Sequence, residues 1–294
     1  MKFYILKKAS VFGSLLAISA CSAVPSVKPD QGRLLATGGV SQIEGSAGTG
    51  LVPWAVMTGY GSDQSWGGSA YYTRSSLNDF EFESRGAAVA LRDRIEISYA
   101  EQRFDVGDTG PRLGLPEDYT FEQDIFGAKV RVLGNVVYDQ DSWLPQIAVG
   151  AQYKKNKNGG LVSAIGAEDD EGLDLYVSGT KLFLDDSVLL TGTARRTKAN
   201  QFGLLGFGGD QGEGHSIEYE GSAAIMLSRK FVVGADYRTK PDNLGFADEE
   251  DALAVYGAYF PSKNISLTAA YVDLGDIALQ GKQTGVYGSV QIGF

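Results

Sequence analysis

The sequence has a single cysteine, Cys21, a single histidine, His215, and only 3 methionines. A disulfide within the chain is therefore excluded, and any site built on paired thiols or clustered imidazoles is excluded with it. No apolar stretch reaches the ~20 residues that a membrane-spanning helix needs, which argues against a helical membrane protein. Positive charge is also scarce, with 26 Lys and Arg against 36 Asp and Glu and a net charge of -10. Nucleic acid as a partner is excluded on that ground, because phosphate contacts need clustered cations.

What is present is glycine and aromatic residues: 39 Gly, 15 Tyr and 14 Phe, with 43% of residues apolar. The first residues read as a targeting segment. Lys2, Lys7 and Lys8 precede the apolar run Val11 to Ala20, which is too short to span a bilayer. Two cleavage sites compete. Ile18-Ser-Ala-Cys21 resembles a lipobox, with Cys21 as the lipidation candidate and a leader of 1–20; cleavage after Ala23 makes the leader 1–23. Residues 21–32, with Pro25, Lys28 and Pro29, read as a periplasmic tether, and 33–294 as one outer-membrane domain.

Beyond Arg33 the polarity alternates with a period of two, the mark of strands with one apolar face. Phe231, Val233, Ala235 and Tyr237 alternate with Val232, Gly234, Asp236 and Arg238. Phe126, Ala128, Val130 and Val132 alternate with Lys129 and Arg131. The chain stops on such a segment, with Val286, Gly288, Val290, Ile292 and Phe294 on one face and Tyr287, Ser289 and Gln291 on the other. Short turns at 92–93, 185–187, 228–230 and 261–264 separate long loops at 105–123, 155–171, 199–214, 241–251 and 275–283. Short and long connections in alternation are the pattern of a transmembrane antiparallel β-barrel.

Thirteen strand-length segments run from 51–61 to 284–294. An even count with both termini at one end then requires 33–44 as a further strand, so about fourteen are expected; if 33–50 folds inside as a plug, the number falls to twelve. The last strand would close against 33–44, or against 51–61 in the plug case. Trp54, Trp66 and Trp143 are expected in aromatic girdles.

Several strings carry a wider resemblance. They include Thr37-Gly-Gly-Val-Ser-Gln-Ile-Glu-Gly-Ser46, Leu51-Val-Pro-Trp-Ala55, Trp143-Leu-Pro-Gln-Ile-Ala-Val-Gly150, Asn200-Gln-Phe-Gly-Leu-Leu-Gly-Phe-Gly-Gly-Asp210 and Lys240-Pro-Asp-Asn-Leu-Gly-Phe246. Together they resemble an uncharacterised proteobacterial outer-membrane family known as a domain of unknown function. The resemblance implies an envelope location and supplies no activity or catalytic residue. The terminal Phe294 is similar to the assembly signal of outer-membrane barrels.

Candidate lumen-lining residues are Glu81, Glu83, Arg85, Lys129, Arg131, Arg195, Glu218, Glu220, Asp236 and Arg238, together with Glu96, Lys154 and Lys240. They either fill the lumen with ion pairs or line a water channel. Phe202, Leu204 and Phe207 in one long loop, with Leu244 and Phe246 in another, either pack over the mouth or offer a greasy access site. A hydrolase would rest on His215, whose neighbour Ser216 points to the opposite face of a strand. Asp139-Gln-Asp141 and Glu168-Asp-Asp-Glu171 lack the spacing of a dedicated calcium loop. No cofactor, metal or catalytic residue is assigned. The expected function is a porin-like channel or transporter for small solutes, hydrophobic ones among them. The alternatives are a structural or assembly-related barrel with a filled lumen, and an envelope hydrolase. The expected partners are the lipid bilayer, lipopolysaccharide and the barrel assembly machinery.

Overall fold

A computed structural model describes residues 36, 38–247 and 249–294; the leader, the tether and Cys21 lie outside the described residues. Twelve antiparallel strands form one closed barrel. They are β1 (Trp66–Leu77), β2 (Glu81–Leu91), β3 (Ile95–Asp105), β4 (Thr120–Leu133), β5 (Gln146–Asn156), β6 (Glu171–Phe183), β7 (Val188–Thr197), β8 (Ser216–Ser228), β9 (Phe231–Arg238), β10 (Ala252–Ser262), β11 (Ile265–Asp276) and β12 (Lys282–Gly293). Each pairs with its sequence neighbour, and β12 closes on β1 from Gly285↔Leu77 to Gly293↔Ser69. Closure leaves no free edge, so every strand can satisfy its main-chain groups within the sheet. An eleven-residue strand tilted as in such barrels rises about 28 Å, close to the ~25 Å apolar band they present to lipid.

Alternation is carried through to the two surfaces. Ile97, Phe126, Val149, Val177, Ile225, Val255, Val286 and Ile292 are exposed on the outer wall. The residues between them face inward and are mostly buried. Among the described residues no helix is long and apolar enough to cross a membrane.

The connections separate the two ends. Turns at 92–94, 184–187, 229–230 and 263–264 mark the turn end, which also has one longer loop, 134–145. The other six connections, at 78–80, 106–119, 157–170, 198–215, 239–251 and 277–281, mark the loop end. Phe294 lies at the turn end, where its carbonyl accepts from Tyr60 N at 3.0 Å and from Gly68 N at 2.9 Å. Its ring meets that of Trp66 edge-on, with centroids 5.2 Å apart.

The count is twelve and not fourteen because neither the described part of 33–44 nor 51–61 joins the wall. The described part of that region, 38–61, enters the lumen as a plug. Its only ladder is the two-residue pair Val40–Ser41 with Ala47–Gly48. The plug is longer than the 33–50 considered from sequence, and β12 therefore closes on Trp66–Leu77. The reason lies in Leu51-Val-Pro-Trp-Ala-Val-Met57. A wall strand needs one polar face, yet this run is apolar on both, and Pro53 cannot donate to a ladder. Every residue in it is buried. Trp54 is accordingly 4% exposed inside the lumen and is no girdle residue, while Trp143 is 90% exposed in the long loop of the turn end.

The plug leaves the lumen at Gly59, whose φ is +71°. A Cβ there would lie 2.3 Å from Gly68 N and 2.6 Å from Phe294 O. Only glycine allows the chain to pass this close to the seam between β1 and β12.

Candidate functional site: the plugged lumen

The lumen wall has two unlike halves. Strands β3 to β9 contribute the buried charges Glu96, Lys129, Lys154, Asp174, Arg195, Glu220, Asp236 and Arg238. Strands β10, β11, β12, β1 and β2 contribute Ala254, Tyr256, Ala270, Val272, Tyr287, Thr73 and Phe82, and no buried charged side chain among the described residues.

The plug is bound chiefly to the charged half. Its Glu44 is fully buried and faces three cations. Arg238 grips both carboxylate oxygens, with Nη1 and Nη2 each at 3.0 Å. Arg195 Nη2 lies at 3.4 Å, and Lys154 completes the cage. Asp174 and Glu220 on the wall compensate the same cations. Asp174 lies 2.9 Å from Lys154 and 3.4 Å from Arg195, and Glu220 pairs with Arg195 and lies 3.5 Å from Arg238. Three carboxylates and three cations are thus joined in one buried network. Such a network is tolerable in an interior only when every charge is compensated.

Nearer the turn end, Lys129 and Glu96 pair at 3.0 Å. Both also bind plug main chain. Glu96 accepts from Ala47 N at 3.1 Å and Thr58 N at 2.7 Å, and Lys129 donates to Ala47 O and Trp54 O at 3.3 and 3.1 Å. Ser178 and Thr193 donate to Pro53 O, and Gln146 to Ala55 O, while Thr180 accepts from Ala55 N. Ile43 O collects Tyr71, Ser84 and Gln102. Wall side chains thus satisfy plug main-chain groups that its two-residue ladder leaves unpaired, as buried main-chain groups require.

A lid lies above the plug. The loop 198–215 dips into the loop end, and Gln201 and Phe202 hold φ values of +42° and +64°. Left-handed backbone at two consecutive non-glycine residues is strained and persists only where its surroundings impose it. Here Lys154 and Gln123 donate to Phe202 O at 3.1 and 3.3 Å, and Asn156 to Gly203 O and Leu204 O at 3.1 and 2.8 Å. The Arg238 guanidinium sits 4.4 Å from the centre of the Phe202 ring. Phe207 exchanges main-chain hydrogen bonds with Asp169, tying this loop to 157–170. Lys240 pairs with Glu249 at 2.9 Å. Of the loop candidates, Phe202, Leu204, Phe207 and Leu244 are buried and Phe246 is half-buried, so these side chains pack over the mouth.

The lumen candidates divide. Lys129, Arg195, Glu220, Asp236 and Arg238 face inward and are buried, as do Glu96 and Lys154. Glu218 accepts from Ser216 and Thr239 near the mouth, and Arg131 pairs with Asp93 at 2.8 Å at the turn end. Glu81, Glu83 and Arg85 point the other way. Phe82, Ser84 and Gly86 take the inward positions of β2, so the three charges lie on the outer wall. There Arg74 pairs with Glu81 and Glu83, and Arg85 with Glu101. Polarity misleads at this height because both faces of a strand near its loop end are polar, and a one-residue slip in parity exchanges the faces. Phe82 decides the matter: it is buried on the lumen side, opposite Phe104 in the ladder.

His215 stands exposed beside β8. Partial desolvation, with Arg196 and Lys198 nearby, holds its pKa below the usual value, so the ring is neutral near pH 7. The hydroxyl of Ser216 is engaged by Thr197 O and Glu218. Glu168 and Asp169 pair with Lys198.

Cavities remain beside and above the plug. One of about 200 Å³ lies at the loop end. A second, of about 30 Å³, lies deeper between plug and wall, lined by Leu51, Thr73, Phe82, Ala254, Val272 and Tyr287. A third, of about 10 Å³, lies beside Gly39, Tyr60, Phe260 and Gln291.

A family described as "Protein of unknown function (DUF3034)" matches residues 37–291, plug and wall together. The chain belongs to the DUF3034 family. No curated protein matches it. Among solved structures, the KdgM porin superposes with a TM-score of 0.51 at 12% identity, over 77% of this chain and 99% of that one. The KdgM porin in complex with disordered oligogalacturonate gives 0.50 at 11%, over the same shares. At such identity the likeness is one of fold: the DUF3034 chain has the barrel architecture of an outer-membrane porin.

Proposed function

We propose that this DUF3034 protein is an outer-membrane transporter whose N-terminal plug closes the lumen, and whose passage for small apolar solutes runs along the uncharged side. In this reading the turn end faces the periplasm and the loops face outward, in contact with lipopolysaccharide. The leader addresses the chain to the envelope, and Phe294 serves the barrel assembly machinery.

One observation carries the reading: the charged half of the wall grips the plug, while apolar space stays unfilled at the loop end and, deeper, between the plug and the uncharged wall. A polar solute would have to break ion pairs to pass, whereas an apolar one displaces only dispersion contacts. A side-chain-filled structural barrel is the second reading, favoured by the lid that closes the same lumen from above.

Uptake of 1-N-phenylnaphthylamine by intact cells separates the two. Cells carrying the protein should take up the probe faster than cells without it. Ala254→Trp, which fills the middle cavity, should abolish the gain, whereas Ala235→Trp on the outer wall should preserve it. Equal rates with and without the protein would support the structural barrel.

A further inference from the structure

The cavity at the loop end differs from a packing fault in its construction. All six connections of that end reach it, through Phe80, Leu113, Ile165, Leu205, Phe246 and Ile277. Loops that merely cover a mouth bury their apolar residues against one another. Here six loops converge and leave a space of about 200 Å³ between them. An apolar cavity of about 150 Å³ suffices for benzene, so this one takes a bicyclic aromatic or a chain of about eight carbons.

One charged group stands on its lining. Arg112, in the last turn of the short 3-10 segment Gly107–Leu113, is exposed to solvent and contributes to the rim of the cavity. Its neighbours there are apolar, and it makes no ion pair with any carboxylate among the described residues. A guanidinium is a fixed fork of donors that matches a carboxylate in bidentate fashion. An apolar cavity with one such fork at its edge fits a molecule with a hydrophobic body and an anionic head.

We infer that the loop-end cavity is a binding site for small amphiphilic carboxylates, with Arg112 holding the head group and the six-loop cavity holding the body. The site deepens the transporter reading by naming the solute class, and rests on it only for the onward path. Binding itself is a separate property of the loops.

The test uses the protein in lipid nanodiscs, with 2-naphthoate and its neutral counterpart 2-naphthamide as fluorescent probes. The naphthoate should bind more tightly than the amide. Arg112→Ala should weaken naphthoate about tenfold or more, the usual range for a lost charge-assisted hydrogen bond, and leave the amide unchanged. Arg112→Lys should retain part of the preference, and Phe246→Trp, which fills the cavity, should weaken both. Equal affinity for the two probes, or an Arg112→Ala variant that binds naphthoate normally, overturns the carboxylate assignment. Absence of binding by either probe overturns the site itself. That outcome remains distinct from failure of the transport reading, which the Ala254→Trp uptake measurement decides.

Discussion

Replacing Glu44 with Gln keeps the shape of the side chain and removes the charge around which the plug is held. In the native protein the three carboxylates Glu44, Asp174 and Glu220 balance Lys154, Arg195 and Arg238. Glu44→Gln leaves one uncompensated positive charge in a region closed to water. Breaking a buried ion pair by removing one partner costs about 3–5 kcal/mol. Because Glu44 is the plug's only charged residue in the described segment, this cost falls on the docked state alone. At 1.36 kcal/mol per tenfold change, the ratio of docked to undocked plug should fall roughly 150- to 5,000-fold.

Two measurements read this. Open events in planar bilayers should become more frequent. A cysteine placed at Ser46, which is 2% exposed, should react with a maleimide faster in the Glu44→Gln background. The double variant Glu44→Gln/Lys154→Met restores charge balance, since Asp174 still faces Arg195 at 3.4 Å. Its defect should be smaller than the sum of the two single defects by about 1 kcal/mol or more. Unchanged labelling and conductance in Glu44→Gln, or strict additivity in the double variant, would refute the charge cage as the plug's anchor.

Three further outcomes are expected. Lys129→Met leaves Glu96 without its cation and takes a donor from Ala47 O and Trp54 O, and should raise labelling of a Met57→Cys probe by a similar mechanism. Phe207→Ala empties a fully buried ring site at the join between two loops; a loss of about 3–5 kcal/mol should appear as faster hydrogen exchange in 198–215 with the strands still protected. Gly59→Ala forces a Cβ against Gly68 N and Phe294 O, and should lower the melting temperature of the barrel and the yield of inserted protein, measured by heat-modifiable gel mobility.

Much of the wall was legible because a lipid-facing strand obeys a simple rule. Its outer positions must be apolar, and Phe231, Val233, Ala235 and Tyr237 announce their strand without help from the rest of the chain. The lumen charges on β4 and β7 to β9 were legible for the same reason. Glu81, Glu83 and Arg85 were misplaced where the rule lapses, near the loop rim. The plug was misread in part because a segment buried on all sides leaves no periodicity, only a two-sided apolar run beside glycines. Leu51 to Met57 carried that signal, with Pro53 inside it. Glu44 and Asp174 carried none: one is a lone acid in a glycine-rich stretch, the other an inward strand residue among many.

The sequence by itself determined that this chain is an all-β barrel with mostly short turns at one end and mostly long loops at the other. Alternation and turn chemistry are local properties, and each strand declares its two faces within a few residues. Only the tertiary structure decided that the N-terminal segment lies inside the cylinder, that the wall charges converge on Glu44, and that one side of the lumen is left uncharged. Those facts depend on which strands stand opposite one another across the barrel. That geometry arises from closure of β12 on β1 and is written in no single stretch of sequence.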